Sequence, residues 1–318
     1  MRTPPSRSLS VALLISLCLA FLVALSGPVG TVGAASTKLT NGCGVGPRGI
    51  PGCGAYVGAA YGGNASVASW ERSMGKKLGV HRTYWGSGSV ASAVKTAKAD
   101  AANHRVPWMS FKQPYSWSQM AAGKGDAWAR NLATKMRAVP GPVWVAVNHE
   151  PENDGGDIQQ WKKMQARLAP IMRKAAPNLG YSIILMGYHE FHGAAKYRMS
   201  AIWPNTKIDV AGFDIYETYG HNGSTTWKAF NANYFVPIQR WAQSQGVRWG
   251  LAETAYSDPA AKKNAQWIPR IYQAMKAQGG IAFSYFNTTL NSTANWKLGL
   301  ATKKSAFTRV NKPAPTLR

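Results

Sequence analysis

The sequence predicts a single α/β domain folded as a (β/α)8 TIM barrel, and three observations carry that expectation. Eight short apolar runs alternate with helical patterns or long connections between residues 55 and 318. Alternation of that kind implies parallel strands. No linker, internal repeat or low-complexity tail divides the span, which is long enough for one large core. Polar and acidic residues gather where the apolar runs end, and a parallel barrel keeps its site at those ends. The main competitor is a doubly wound open sheet. No Gly-x-Gly-x-x-Gly follows the first strand, which weakens the dinucleotide-binding form of that competitor. No cofactor is expected.

The chain opens with Arg2 and Arg7, an apolar run from Val11 to Leu25, and small residues ending Val32-Gly33-Ala34-Ala35. A charged start, an apolar middle and a small-residue cleavage site describe a secretory signal peptide over residues 1–35. The run is shorter than the ~20 residues that cross a bilayer, so a secreted chain with no membrane association is expected. Leu17 precedes Cys18 where a lipoprotein signal wants a small residue, so no lipid anchor is expected. Cleavage leaves only Cys43 and Cys53. Two thiols in an exported chain are expected to pair, tying down the Gly/Pro-rich segment 36–54 ahead of a barrel over 55–318.

The first strand is Gly54–Tyr61, closed by Gly62-Gly63. An amphipathic helix follows over Ala68–Leu78, with Gly79 as its C-cap. Val80–Trp85 is the second strand, with a helix at Ser89–Asn103, and Val106–Phe111 is the third. Asp126 caps a helix to Ala138, and Pro140-Gly141-Pro142 leads into the fourth strand, Val143–Val147. Asp157 opens a long helix to Ala176, followed by the fifth strand, Tyr181–Tyr188. The sixth strand is Lys207–Tyr216, and a helix spans Thr225–Gln245. Arg248–Thr254 is the seventh strand, and a helix over Lys263–Gln278 stops at Gly279-Gly280. Ile281–Phe286 is the eighth strand, and a last helix covers Lys303–Asn311.

The formal net charge is +24, with 37 Lys and Arg against 13 Asp and Glu. That excess favours electrostatic association with anionic cell-wall polymers or acidic polysaccharides. No nucleic-acid-binding signature accompanies it, so no nucleic acid partner is expected. A monomer is expected. The acids are more informative because they are few. Of the six glutamates, at 71, 150, 152, 190, 217 and 253, only Glu71 falls on a predicted helix. The other five sit at predicted strand exits.

The candidate site is assembled from those exits. They offer Tyr84 and Trp85, then Trp108 and Ser110, then Asn148, His149 and Glu150. Next come His189 and Glu190, Asp214 and Tyr216, Glu253, and Tyr285 with Asn287. Two carboxylates, aromatic walls and amide donors suit a sugar chain, whose ring faces stack on Trp and Tyr. Structural alternatives stand beside this. Glu150 could cap the next helix, Glu253 could pair with a lysine, and Trp85, Trp108 and Trp296 could be packing residues. Glu152 and Asp154 are expected on the loop, capping the Asp157 helix. His189-Glu190 with His192 lacks the His-Glu-x-x-His spacing, and no other cluster has metal-site spacing, so no metal is expected.

A glutamate after the fourth strand and another after the seventh resembles the clan A glycoside hydrolases. Asn148-His149-Glu150 looks most like glycoside hydrolase family 26, whose best-known members are endo-β-mannanases. Val210-Ala211-Gly212-Phe213-Asp214-Ile215-Tyr216 is similar to that family's sixth-strand pattern, and Phe286-Asn287 followed by Trp296 resembles its end. Pro151-Glu152 departs from the Met-Asn-Gly usual there, which puts the mannan preference in doubt. The resemblance implies retaining, endo-acting hydrolysis of a β-linked polysaccharide, with Glu150 as acid/base and Glu253 as nucleophile. Tyr216 would hydrogen-bond the nucleophile, Asn148 a sugar hydroxyl, and His149 would orient Glu150 or bind substrate. His189, Glu190, Asp214, Tyr285, Trp85, Trp108 and Trp296 would serve substrate binding. The alternatives are a non-catalytic carbohydrate-binding barrel and a glycosidase of cell-wall or acidic polysaccharide.

Overall fold

The computed structural model describes Met1 and residues 38–318; apart from Met1, the expected signal peptide lies outside the described residues. Eight parallel strands close into a barrel in chain order. They are β1 (Tyr56–Tyr61), β2 (Val80–Trp85), β3 (Val106–Phe111) and β4 (Val143–Val147), then β5 (Leu179–Leu185), β6 (Val210–Glu217), β7 (Arg248–Tyr256) and β8 (Ala282–Asn287). Helices or long connections follow each strand, as the alternation predicts. No helix among the described residues is long and apolar enough to cross a membrane.

Element boundaries differ where a turn residue intervenes earlier than expected. The helix expected over Ala68–Leu78 ends at Met74, because Gly75 takes the left-handed C-cap position at φ 67°. β5 stops at Leu185, and Gly187 at φ 78° turns the chain into a short helix, Tyr188–Phe191. The helix expected over Lys263–Gln278 becomes two, Asp258–Lys263 and Trp267–Ala277. Ser257 starts the first by accepting from the Ala260 N–H at 3.1 Å. The helix expected from Thr225 begins at Asn231 with a π turn.

Alternate residues of each strand face the lumen or the helix layer. Trp108 and Trp144 fill the lumen edge to face, with ring centroids 5.1 Å apart. Their indole N–H groups donate to Ser182 Oγ at 3.0 Å and to the Arg48 carbonyl at 2.7 Å. Gly212 makes this possible: a Cβ there would lie within 2.9 Å of Ile184, Trp108 and Ala252. The strict alternation breaks once near the mouth. Phe213 of β6 pairs with Leu251 of β7, but Asp214 pairs with Glu253, so Ala252 is an extra residue. Such a β-bulge re-aims the side chains beyond it. Ala252 packs in the lumen, and Glu253 turns inward directly after it to meet Arg82.

The N-terminal segment closes the opposite end. Leu39 is buried in the lumen cluster, with Cys43, Val45 and Ile50 packed against it. Tyr56 Oη donates to the Gly49 carbonyl at 3.1 Å, and Leu39 bridges to Leu317. Cys43 and Cys53 form the expected disulfide. Replacing both cysteines by serine should lower unfolding free energy by about 2–3 kcal/mol, the chain-entropy value for so short a loop, read as a lower urea midpoint.

Candidate active site

A cleft of about 760 Å³ opens at the C-terminal ends of the strands, within the size range of ligand sites. Glu150, Asp214 and Glu253 meet in it, with one oxygen of each within 4.8 Å of the others. They come from the β4 exit, β6 and the β7 bulge.

The backbone carrying Glu150 is unusual. Asn148 and Glu150 both have positive φ, at 53° and 50°, a conformation that costs a non-glycine residue about 1–2 kcal/mol. Neighbouring elements hold them there. Asn148 N–H donates to the Phe111 carbonyl at 2.8 Å, and Glu150 N–H to the Ile184 carbonyl at 3.0 Å. Trp161 Nε1 donates to the Asn148 carbonyl at 3.1 Å. Pro151 then starts a 3-10 turn over Pro151–Asn153.

The two glutamates have opposite surroundings. Glu253 accepts from Tyr84 Oη at 2.6 Å, Tyr216 Oη at 2.5 Å and Arg82 Nη2 at 3.4 Å. Burial, and then the Glu253 charge, push the Tyr84 phenol well up, and the same two causes raise Tyr216. Both therefore stay protonated and donate. Arg82 is wholly buried in the floor and lies 4.4 Å over the Tyr84 ring. Glu150 has no tyrosine or guanidinium donor; its hydrogen-bonding neighbour is another acid, Asp214. Burial, then the charges of Glu253 and Glu152, push its carboxyl up to about 8. Asp214 is raised well above the carboxylate range by burial and by the charges of Glu253 and Glu150. His149 is held well below its ordinary value, first by burial and then by Arg82 and Lys112, so its ring is neutral.

The other expected site residues divide by strand parity. Trp85, His149, Tyr216 and Trp296 line the cleft with the three acids. The Trp296 ring sits 5.0 Å from that of Tyr216. Trp108 does not line it: it faces the lumen one layer below, fully buried, and Ser110, itself buried, lines the cleft instead. Tyr285 also does not line it. It faces the helix layer against Phe307, and its hydroxyl donates to the Trp296 carbonyl at 2.9 Å. Phe286, the next residue, lines the cleft. Asn148 is buried behind the wall, its Nδ2 on Asp154 Oδ2 at 2.5 Å. His189 and Glu190 stand off the cleft on the short helix, and Tyr188 takes their place. Glu152 is buried rather than capping the next helix, whose cap is Asp157.

Several residues of the site were not among those expected. Arg82, buried beneath the cleft against Glu253, is the chief one; its signal was a lone cation two places after Val80, on the lumen side of an apolar strand. Lys112 and Lys228 line the cleft itself.

By sequence, no protein-family model and no curated protein matches this chain. Solved structures do match it in shape. The catalytic domain of the family 26 endo-β-1,4-mannanase of Bacillus sp. JAMB-750 superposes with a TM-score of 0.61 at 11% identity, over 80% of this chain and 85% of that one. The likeness is one of fold, the closed (β/α)8 barrel. The family 26 β-mannanase of Bacteroides ovatus gives a TM-score of 0.57 at 13% identity, over 81% and 88% of the two chains. Thermotoga maritima Cel5A, in complex with cellobiose, gives 0.56 at 10% identity, over 79% and 96%. These barrels share the backbone plan with this chain at low identity, so packing roles must be tested directly. Trp108→Ala should cost about 3–5 kcal/mol of stability, and Trp85→Ala much less, compared by urea unfolding.

Proposed function

We propose that this chain is a secreted, retaining, endo-acting β-glycoside hydrolase that cleaves a β-linked polysaccharide. The observation that carries the reading is the approach of Glu150 to Glu253, with carboxyl oxygens within 4.8 Å across the cleft. Retaining enzymes hold their two carboxyls about 5–5.5 Å apart, and inverting ones hold them farther apart to admit a water.

The two environments suit two roles. Glu253, fixed by three donors, is the nucleophile and attacks the anomeric carbon. Glu150, kept protonated by burial and neighbouring acids, gives its proton to the departing glycosidic oxygen. The bond between Glu253 and the sugar is the intermediate. Glu150, now a carboxylate, takes a proton from water as that water attacks the same carbon and releases Glu253. Tyr216 and Tyr84 keep Glu253 oriented, and Arg82 offsets its charge. Trp85 and Trp296 offer ring faces to sugars on either side of the cleft. The matched mannanases favour a β-mannan-like substrate. The net charge of +24 and the two lysines of the cleft wall favour an acidic or wall-associated glycan as the second reading.

The disulfide and the N-terminal sequence support export. Glu150→Gln and Glu253→Gln should each lower kcat by several orders of magnitude while ligand binding survives. Release of reducing ends from mannan, β-glucan, xylan and acidic exopolysaccharides reads this directly, and unchanged rates in either variant would reject the roles. The acid form of Glu150 is the active one, so activity should hold below about pH 8 and fall as pH rises through that value. Retention at the anomeric carbon, followed by proton NMR of the first product, should accompany it.

A further inference from the structure

Glu152 and Glu190 are buried acids that the mechanism does not use. Glu152 follows Glu150 by two residues on the turn Pro151–Asn153, and Glu190 lies on the short helix after β5. They are 7% and 2% exposed. Glu152 Oε1 accepts from the Met186 N–H at 3.2 Å. Glu152 Oε2 and both oxygens of Glu190 are buried without a well-formed hydrogen bond among the described residues; only the backbone N–H groups of Gly187 and Glu190 approach the Glu190 carboxyl.

The surroundings offer no positive charge to compensate them. Arg82 is committed to Glu253, Lys112 to Asp154, and Arg198 Nη1 to the Phe191 carbonyl. From the β4 exit the pair is faced by Glu150, and from β6 by Asp214. From the following turn, Tyr197 Oη donates to the Glu152 carbonyl at 3.2 Å. His189, on the helix of Glu190, packs against Tyr188 and Tyr197. Two bare carboxylates in such a place are costly to bury. One proton between them supplies the missing donor and removes one charge.

We propose that Glu152 and Glu190 form a proton-sharing carboxyl pair that joins the β4 exit to the β5 exit and places one fixed negative charge behind Glu150. The pair is thus a positioning device for the acid/base, and the proposal rests on Glu150 holding that role. Burial, and then each other's presence, raise Glu152 well above its ordinary value, in keeping with a retained proton. The Glu152 charge is among the causes that raise Glu150.

Glutamine mimics a carboxyl that never loses its donor. A single variant, Glu152→Gln or Glu190→Gln, keeps one donor and one acid, so the alkaline limb of kcat/KM should stay where it is. The double variant removes the charge, and that limb should move down by about 0.5 pH unit or more. A merely structural role would lower kcat equally at every pH and leave the limb in place, which would overturn the proposal.

A second readout needs no activity. A group whose value is raised on folding contributes stability below the ordinary carboxyl range, and that stability is lost as pH rises through its folded value. The wild-type Tm should therefore fall between pH 6 and pH 9 more steeply than that of either single glutamine variant. Equal slopes would refute the shared proton even if Glu150→Gln abolished turnover. Conversely, an active Glu150→Gln would reject the catalytic reading while the Tm comparison still decided the pair.

Discussion

The carboxylate of Glu253 is held by groups from separate strands: Arg82 and Tyr84 of β2, and Tyr216 of β6, with Glu253 itself on β7. No open sheet in this strand order brings β2 close to β7; closure does. The arrangement also needs a break in strand parity. Were the alternation regular through Ala252, with no bulge, Glu253 would share the parity of Leu251 and point into the helix layer. Barrel closure and one bulge thus create the polar floor on which the rest of the cleft is built. Below that floor, Trp108, Trp144 and Gly212 fill the lumen and keep Arg82 from water.

The charge distribution runs counter to the composition. A chain with a net charge of +24 gathers Glu150, Asp214 and Glu253 within a few ångströms and sets Glu152 and Glu190 behind them. Arg82 is the single guanidinium against Glu253 among the described residues. The acids therefore differ by what reaches them: three donors for Glu253, apolar burial and like charge for Glu150. The positive φ of Asn148 and Glu150 is part of the same design. It turns the β4 exit sharply enough to hang a carboxyl over the mouth, and the backbone bonds to Phe111 and Ile184 keep it there.

Much of this is legible in the sequence. Alternating apolar runs and helical patterns specify the eight strands, and the abrupt polar turn at Asn148-His149-Glu150 marks a strand exit without further help. The expected pairing of Cys43 with Cys53 rests on their closeness in the chain and on an exported context, and the disulfide forms between them. Side-chain direction is harder, because it depends on where each strand's parity starts. Trp108 and Tyr285 look like site residues from their place near a strand end, yet one faces the lumen a layer too low and the other faces outward. Arg82 escapes notice because a cation in an apolar strand has no local rule to explain it; its partner lies 171 residues away. The pairing of Glu152 with Glu190 is likewise a tertiary event between two strand exits. The bulge at Ala252 has no signature in Gly250-Leu251-Ala252-Glu253.

The floor of the barrel joins the two ends of the folded chain. Thr40 and Thr316 exchange hydrogen bonds, and Leu39 lies beside Leu317 beneath the strand starts. Whatever is fused at either side of the domain therefore emerges on the face away from the mouth. Tethered by that face to a bead, a scaffold or another module, the molecule would present its opening outward, free to lie flat against an insoluble fibre.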